Sequence, residues 1–247
     1  MTRAGDSLKS SPVPSLLEDV ATANHILFDQ GILDAFGHVS ARHPSDPQKF
    51  LLSRNLAPPL VTRDDILTID LEGRIIDELG RQSYLERFIH AEIYRRRPDV
   101  MAIVHSHAAS VLPFTISKTV KLCPVCHMAG FICSEAPVYE IREFAGEASD
   151  MLIRNAALGA SLAECLGSNA VVLMRGHGMT VVGNDIRQAV FRAVYTEANA
   201  RIQMNAMALG VMVPMTPEEA AAADEANSGQ VARAWSFWAR KANGIAV

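Results

Sequence analysis

The stretch Ile103-Val104-His105-Ser106-His107-Ala108 decides the reading of this chain. It is an apolar run that ends in two histidines one residue apart. Successive side chains of a strand point to opposite faces, so His105 and His107 share a face and can hold one metal ion. Taken alone, the tripeptide is equally well a solvated strand end. The surroundings tip the balance. Ala170-Val171-Val172-Leu173-Met174 is a second buried-strand pattern and runs into Arg175-Gly176-His177-Gly178, where flanking glycines let the backbone turn sharply and a ligand approach closely. Upstream, Tyr84 to Tyr94 has the spacing of an amphipathic helix carrying Glu86 and His90, and Arg97-Pro98-Asp99 ends it. Two histidines from one strand, a third from a distant one and a carboxylate one helix earlier make a candidate three-histidine site with an open position. His90, one turn after Glu86, is expected to orient that carboxylate.

These residues, together with Gly37-His38-Val39-Ser40-Ala41-Arg42, give the chain a resemblance to the class II aldolase/adducin family over roughly residues 16 to 210. The resemblance implies an α/β fold, three layers (αβα) around a central, mainly antiparallel sheet. It implies that His105, His107 and His177 hold one divalent metal ion per subunit, with Glu86 as acid/base and further ligand. Zinc is the first expectation, and manganese, cobalt or iron suit the same donors. Family members assemble as tetramers, which implies a homotetramer with sites at subunit boundaries.

The chain departs from the sugar-phosphate aldolases of that family where those enzymes hold phosphate. Ser53-Arg54-Asn55 stands in place of a Thr/Ser-Gly loop, Tyr84-Leu85 in place of paired serines before Glu86, and His38 in place of an asparagine. Arginine and aromatic groups suit a planar, carboxylated small molecule, so His38, Ser53, Arg54, Tyr84 and Arg87 are read as substrate-binding. His127 replaces a tyrosine proton donor supplied across a subunit boundary and is read as catalytic with Glu86. These substitutions resemble the aromatic-acid decarboxylase branch, which acts on dihydroxyphthalate-like or hydroxypyridine-dicarboxylate substrates. The alternatives are an aldolase or epimerase acting on a non-phosphorylated hydroxy-keto acid or sugar, and a metal-free, adducin-like interaction module. No G-x-G-x-x-G follows a strand, which argues against a dehydrogenase.

Composition agrees with an enzyme of small molecules. The chain has 247 residues, 49% of them hydrophobic, and a net charge of -4, so nothing in it invites nucleic acid. No signal-like or membrane-spanning run is visible, and a cytoplasmic enzyme is expected. Residues 1–14 are expected to be a tail and residues 15–247 one domain. Of the cysteines, Cys123 and Cys126 form a C-x-x-C pair without a second pair at zinc-ribbon spacing, and Cys133 has the character of a small core residue. Leu16 to Leu27 predicts a helix stopped by Gly31. Phe36 to Arg42 with Phe50 to Arg54, and Ile66 to Leu71 with Arg74 to Asp77, predict two hairpins. Ala108 to Thr115 predicts a short helix, Pro137 to Ile141 a strand, Leu158 to Leu166 a helix, and Thr180 to Gly183 a strand. Asp185 caps a long helix from Ile186 to Leu209 with a stripe of Val190, Val194, Ala198 and Ile202. Tyr195 and Glu197 on it are expected to pack rather than face the site. Trp235 to Trp238 forms an amphipathic end piece.

Overall fold

Alternation along the histidine strand divides the interior in two. In β5 (Ala102–Ser106), Ala102 and Val104 enter one apolar cluster and Ile103 the other, because neighbouring side chains leave a strand on opposite sides. The computed structural model describes residues 12–77 and 79–244. One eight-stranded sheet runs through them, built from β1 (His38–Arg42), β2 (Lys49–Ser53), β3 (Ile66–Asp70), β4 (Ile75–Ile76), β5, β6 (Val138–Tyr139), β7 (Val171–Met174) and β8 (Gly178–Gly183). Their order is β4-β3-β2-β1-β5-β8-β7-β6. Every pairing is antiparallel except β6 with β7. Helices α1 (Pro12–Asp29), α6 (Ile186–Leu209) and α8 (Val231–Ala242) cover one face, where Val20, Ile26, Val190 and Trp238 join the strands' core residues. Helices α2 (Arg87–Arg96) and α5 (Ala156–Leu166) cover the other through Ile89, Ile93, Leu162 and Leu166. This is the three-layer αβα arrangement with a mainly antiparallel sheet. Short helices α3 (Leu112–Ile116), α4 (Arg142–Ala145) and α7 (Pro217–Ser228) complete the chain. No described helix is long and apolar enough to cross a membrane.

Several local expectations need correction. The expected tail lies outside the described residues for positions 1–11, but Pro12 to Pro14 already belong to α1, since proline is tolerated in a first helical turn. Helix α2 begins at Arg87 rather than Tyr84, because Glu86 at its N-cap makes no capping bond and turns its carboxylate to the histidines. The buried face of α6 is also rotated from the apolar stripe: Ile202 is exposed, whereas Asn199 and Gln203 are fully buried. Those two amides bond the main chain of Lys121 to Cys126: Asn199 Oδ1 accepts from the Val125 and Cys126 N–H groups and Gln203 Oε1 from that of Cys123. A loop that would otherwise carry unpaired polar groups is thereby stitched to a helix. Cys133 is exposed, with φ of 66° at the end of the 3-10 turn His127–Ile132, and so is not a core residue.

Candidate metal centre

Three places in the chain deliver the candidate ligands: the N-cap of α2 gives Glu86, the end of β5 gives His105 and His107, and the turn before β8 gives His177. Strand register sets His38 on β1 opposite His105 on β5, both facing α2. His107 follows directly after β5, and His177 precedes β8. The two meet because β8 begins at Gly178, where a Cβ would lie 2.0 Å from the Ser106 carbonyl oxygen; only glycine permits that approach. Gly37, at φ +89°, performs a similar service against the His105 carbonyl.

One ligand atom from each of Glu86, His105, His107 and His177 lies within 4.8 Å of the others. His107 and His177 set their Nε2 atoms 3.1 Å apart, and Glu86 Oε2 is 3.4 Å from His177 Nε2 and 3.6 Å from His105 Nε2. His177 Nδ1 donates to the Met151 carbonyl at 2.8 Å, which leaves its Nε2 lone pair aimed inward. His105 Nε2 is buried with no hydrogen-bond partner. An orphaned buried nitrogen, inward lone pairs and a carboxylate together fit a divalent cation, and His105, His107, His177 and Glu86 are the residues that could hold it.

Electrostatics keep His105, His107 and Glu86 in the form a metal needs. Burial pushes His105 well below the ordinary histidine value and lowers His107, so both are neutral. Burial opposes ionisation of Glu86, yet its contacts with the His177 and His105 rings and the Ile153 N–H hold its carboxyl at about 2. Burial also works against charging His177, but its contact with Glu86 outweighs that and raises its pKa.

A 570 Å³ cavity opens beside the cluster, lined by His38, Tyr84, Glu86, His105 and His107 and by apolar residues including Phe36, Leu60 and Leu85. The structure does not bring Arg54 or Arg87 to it. Arg54 Nε bonds Asp65 at 2.6 Å, and Arg87 bonds the Gly73 and Tyr84 carbonyls while lying over the Phe88 ring. Ser53 is buried behind the wall against the Tyr84 hydroxyl, which in turn donates to the Leu56 carbonyl, so Tyr84 offers its ring to the cavity. His127 is exposed and lines no part of the cavity of its own chain. Tyr195 packs on Phe191 and Trp238, and Glu197 accepts the Ser110 N–H. His90 does not orient Glu86; its ring nitrogens bond His38 and Ser40. Sequence reasoning missed Asn55, Phe36, Leu56, Leu60, Leu85 and Leu152 as cavity residues, and nothing in their local pattern marks them.

The fold and this donor set define a class. The sequence profile of the Class II Aldolase and Adducin N-terminal domain matches residues 18–204, and the chain belongs to that family. Within it, the chain is 39% identical over 244 residues to Decarboxylase tropJ of Talaromyces stipitatus, with 88% of this chain and 90% of that protein covered. It is 27% identical over 216 residues to a 3,4-dihydroxyphthalate decarboxylase of Arthrobacter keyseri, covering 81% of this chain and 82% of the relative. In fold it is similar to L-fuculose 1-phosphate aldolase from Glaciozyma antarctica PI12, with a TM-score of 0.76, 22% identity and 96% and 93% of the two chains covered. The chain is thus an enzyme of the carbon–carbon lyase kind.

Proposed function

We propose that the chain is a metal-dependent decarboxylase of a hydroxylated aromatic or heteroaromatic carboxylic acid, a dihydroxyphthalate-like compound being the type. The observation that carries this reading is the cavity wall: Phe36, Leu56, Leu60, Leu85 and Leu152 make it apolar, and no lysine or arginine lines it among the described residues. A phosphosugar offers such walls little apolar surface to bury, whereas a planar ring is desolvated favourably there. The decarboxylase names of the relatives support the same choice.

His105, His107 and His177 would hold the ion, with zinc first and manganese, cobalt or iron compatible with the same donors. A divalent cation so held supplies Lewis-acid polarisation of a substrate oxygen and balances the charge left when carbon dioxide departs. Glu86 stands ionised, so it first accepts a proton, that of the substrate's phenolic hydroxyl. It can then return this proton to the ring carbon that loses its carboxylate, which balances the reaction. His127 would serve a neighbouring subunit's cavity as a second donor, in a homotetramer with sites at subunit boundaries. Support for assembly comes from Leu209, Val211 and Val213, which are exposed almost in full. A cytoplasmic setting agrees with four free cysteines.

Incubating metal-loaded protein with a panel of hydroxylated benzoates, phthalates and pyridine dicarboxylates, and recording carbon dioxide, tests the reading. Release from at least one such acid is expected. Silence across the panel, with pyruvate or glycolaldehyde formed from a hydroxy-keto acid, would replace it with an aldolase.

A further inference from the structure

Four buried side chains form a line from the cavity wall into the space between β1 and α2. His38 Nδ1 lies 2.7 Å from His90 Nε2, His90 Nδ1 lies 2.6 Å from Ser40 Oγ, and Ser40 Oγ lies 2.8 Å from the Tyr94 hydroxyl. Strand spacing aligns His38 with Ser40, and one helical turn aligns His90 with Tyr94. The far end is anchored by Arg42, whose guanidinium lies over the Tyr94 ring and bonds the Tyr94 carbonyl.

Such a line can run in two directions, and counting hydrogens separates them. If Tyr94 donates to Ser40, then Ser40 donates to His90 Nδ1 and His90 Nε2–H donates to His38 Nδ1. Every buried hydrogen then has an acceptor, and the proton of His38 sits on Nε2. In the reverse direction Ser40 donates to Tyr94, and the phenolic hydrogen has no acceptor, because Ser40 is the hydroxyl's hydrogen-bond partner and Tyr94 is buried. An unsatisfied buried donor disfavours that direction by roughly tenfold to a hundredfold. Burial holds His90 at about 3, so it is a neutral ring with one hydrogen and must be donor on one side and acceptor on the other.

We infer that Tyr94, Ser40 and His90 form a one-way hydrogen-bond wire that locks His38 as its Nε2–H tautomer, a fixed donor to a substrate oxygen in the metal cavity. His38 lines that cavity, and its Nε2 has no protein partner among the described residues. Outside the ligand set, His38 and Asn55 are the lining side chains that carry an N–H. With Arg54 and Arg87 engaged elsewhere, His38 and Asn55 are left as donors, and His38 is the one that stands directly against the ligand His105, with ring centroids 5.0 Å apart. Ser40, His90 and Tyr94 are positioning residues. The substrate half of this inference rests on the proposed function, whereas the wire itself does not.

Long-range proton–nitrogen correlation spectra of the 15N-labelled, zinc-loaded full chain read each imidazole tautomer directly, with His38→Gln and His90→Gln supplying assignments. Both rings are expected to carry hydrogen on Nε2 and none on Nδ1. A proton on His38 Nδ1 overturns the wire. Ser40→Ala should leave zinc content unchanged, make the His38 tautomer mixed, and weaken calorimetric binding of 2,3-dihydroxybenzoate about twofold for an even mixture. Tyr94→Phe should keep the His38 proton on Nε2, because the Ser40 hydroxyl then has His90 Nδ1 as its remaining acceptor; a mixed tautomer in that variant overturns the wire, and it is the deciding variant if Ser40→Ala does not fold. Unchanged binding with a mixed tautomer in Ser40→Ala overturns the contact to substrate. Wild-type protein that ignores the probe overturns the functional reading instead, and the spectra still judge the wire.

Discussion

Residue identities at the centre make a statement about acid. His38, His90 and His105 are buried as neutral rings, each held below the ordinary value of 6.5, whereas the unfolded chain protonates them near that value. The unfolded state therefore binds more protons as pH falls, and stability falls with it. His107 is lowered as well, and His177, raised by Glu86, works in the other direction but is one group against four. Denaturant titration of the metal-free protein should show stability dropping below pH 6.5, by up to about 1.4 kcal/mol per pH unit for each buried ring. Stability that rises on acidification in this window would contradict the burial. Replacing Glu86 by Gln keeps the shape and removes the proton acceptor. A fall in kcat of about 10² to 10⁴ with the fold intact is expected, checked by carbon dioxide release and circular dichroism. At this scale the sequence was informative where chemistry is local: the spacing of His105 and His107 and the glycines around His177 are read without a fold. Arg54 and Arg87 were not legible as structural, since their partners, Asp65 and the Gly73 carbonyl, are fixed only by the fold. The pairs His38/Ser40 and His90/Tyr94 did share faces by spacing, but nothing local shows that the two faces meet.

Elements carry these residues with tolerances that sequence periodicity only partly reveals. Hairpins, the Asp185 cap and the extent of α6 follow from turn chemistry and capping, and the structure has them. The buried side of α6 does not follow, because Asn199 and Gln203 are placed inward by main-chain groups some 75 to 80 residues earlier in the chain, a demand no helical periodicity expresses. Asn199→Ala should strip partners from Val125, Cys126 and Cys123 at once. A loss of the order of 3 kcal/mol is expected, read as a lower midpoint in urea, with hydrogen exchange quickened in residues 121–128. Unaltered exchange there would mean that the helix does not hold the His127 segment.

For the whole molecule, the sheet gathers strands distant in sequence so that β5 and the start of β8 bring the ligand cluster together and β1 adds His38 to the cavity beside it. Elsewhere Leu209, Val211 and Val213 stand uncovered, and His127 lies outside its own cavity. Light scattering at micromolar concentration should therefore give a homo-oligomer, expected to be a tetramer, and Val211→Asp together with Val213→Asp should shift it toward monomer and lower activity. A fully active monomer would remove His127 from the reaction. The centre itself is tested most directly by titrating chelator-stripped protein with zinc or manganese while following carbon dioxide release from a hydroxylated aromatic acid. Activity should rise to saturation at one ion per chain in the wild type and stay absent in His105→Ala. Release that ignores stripping, or that survives in His105→Ala, would contradict the account.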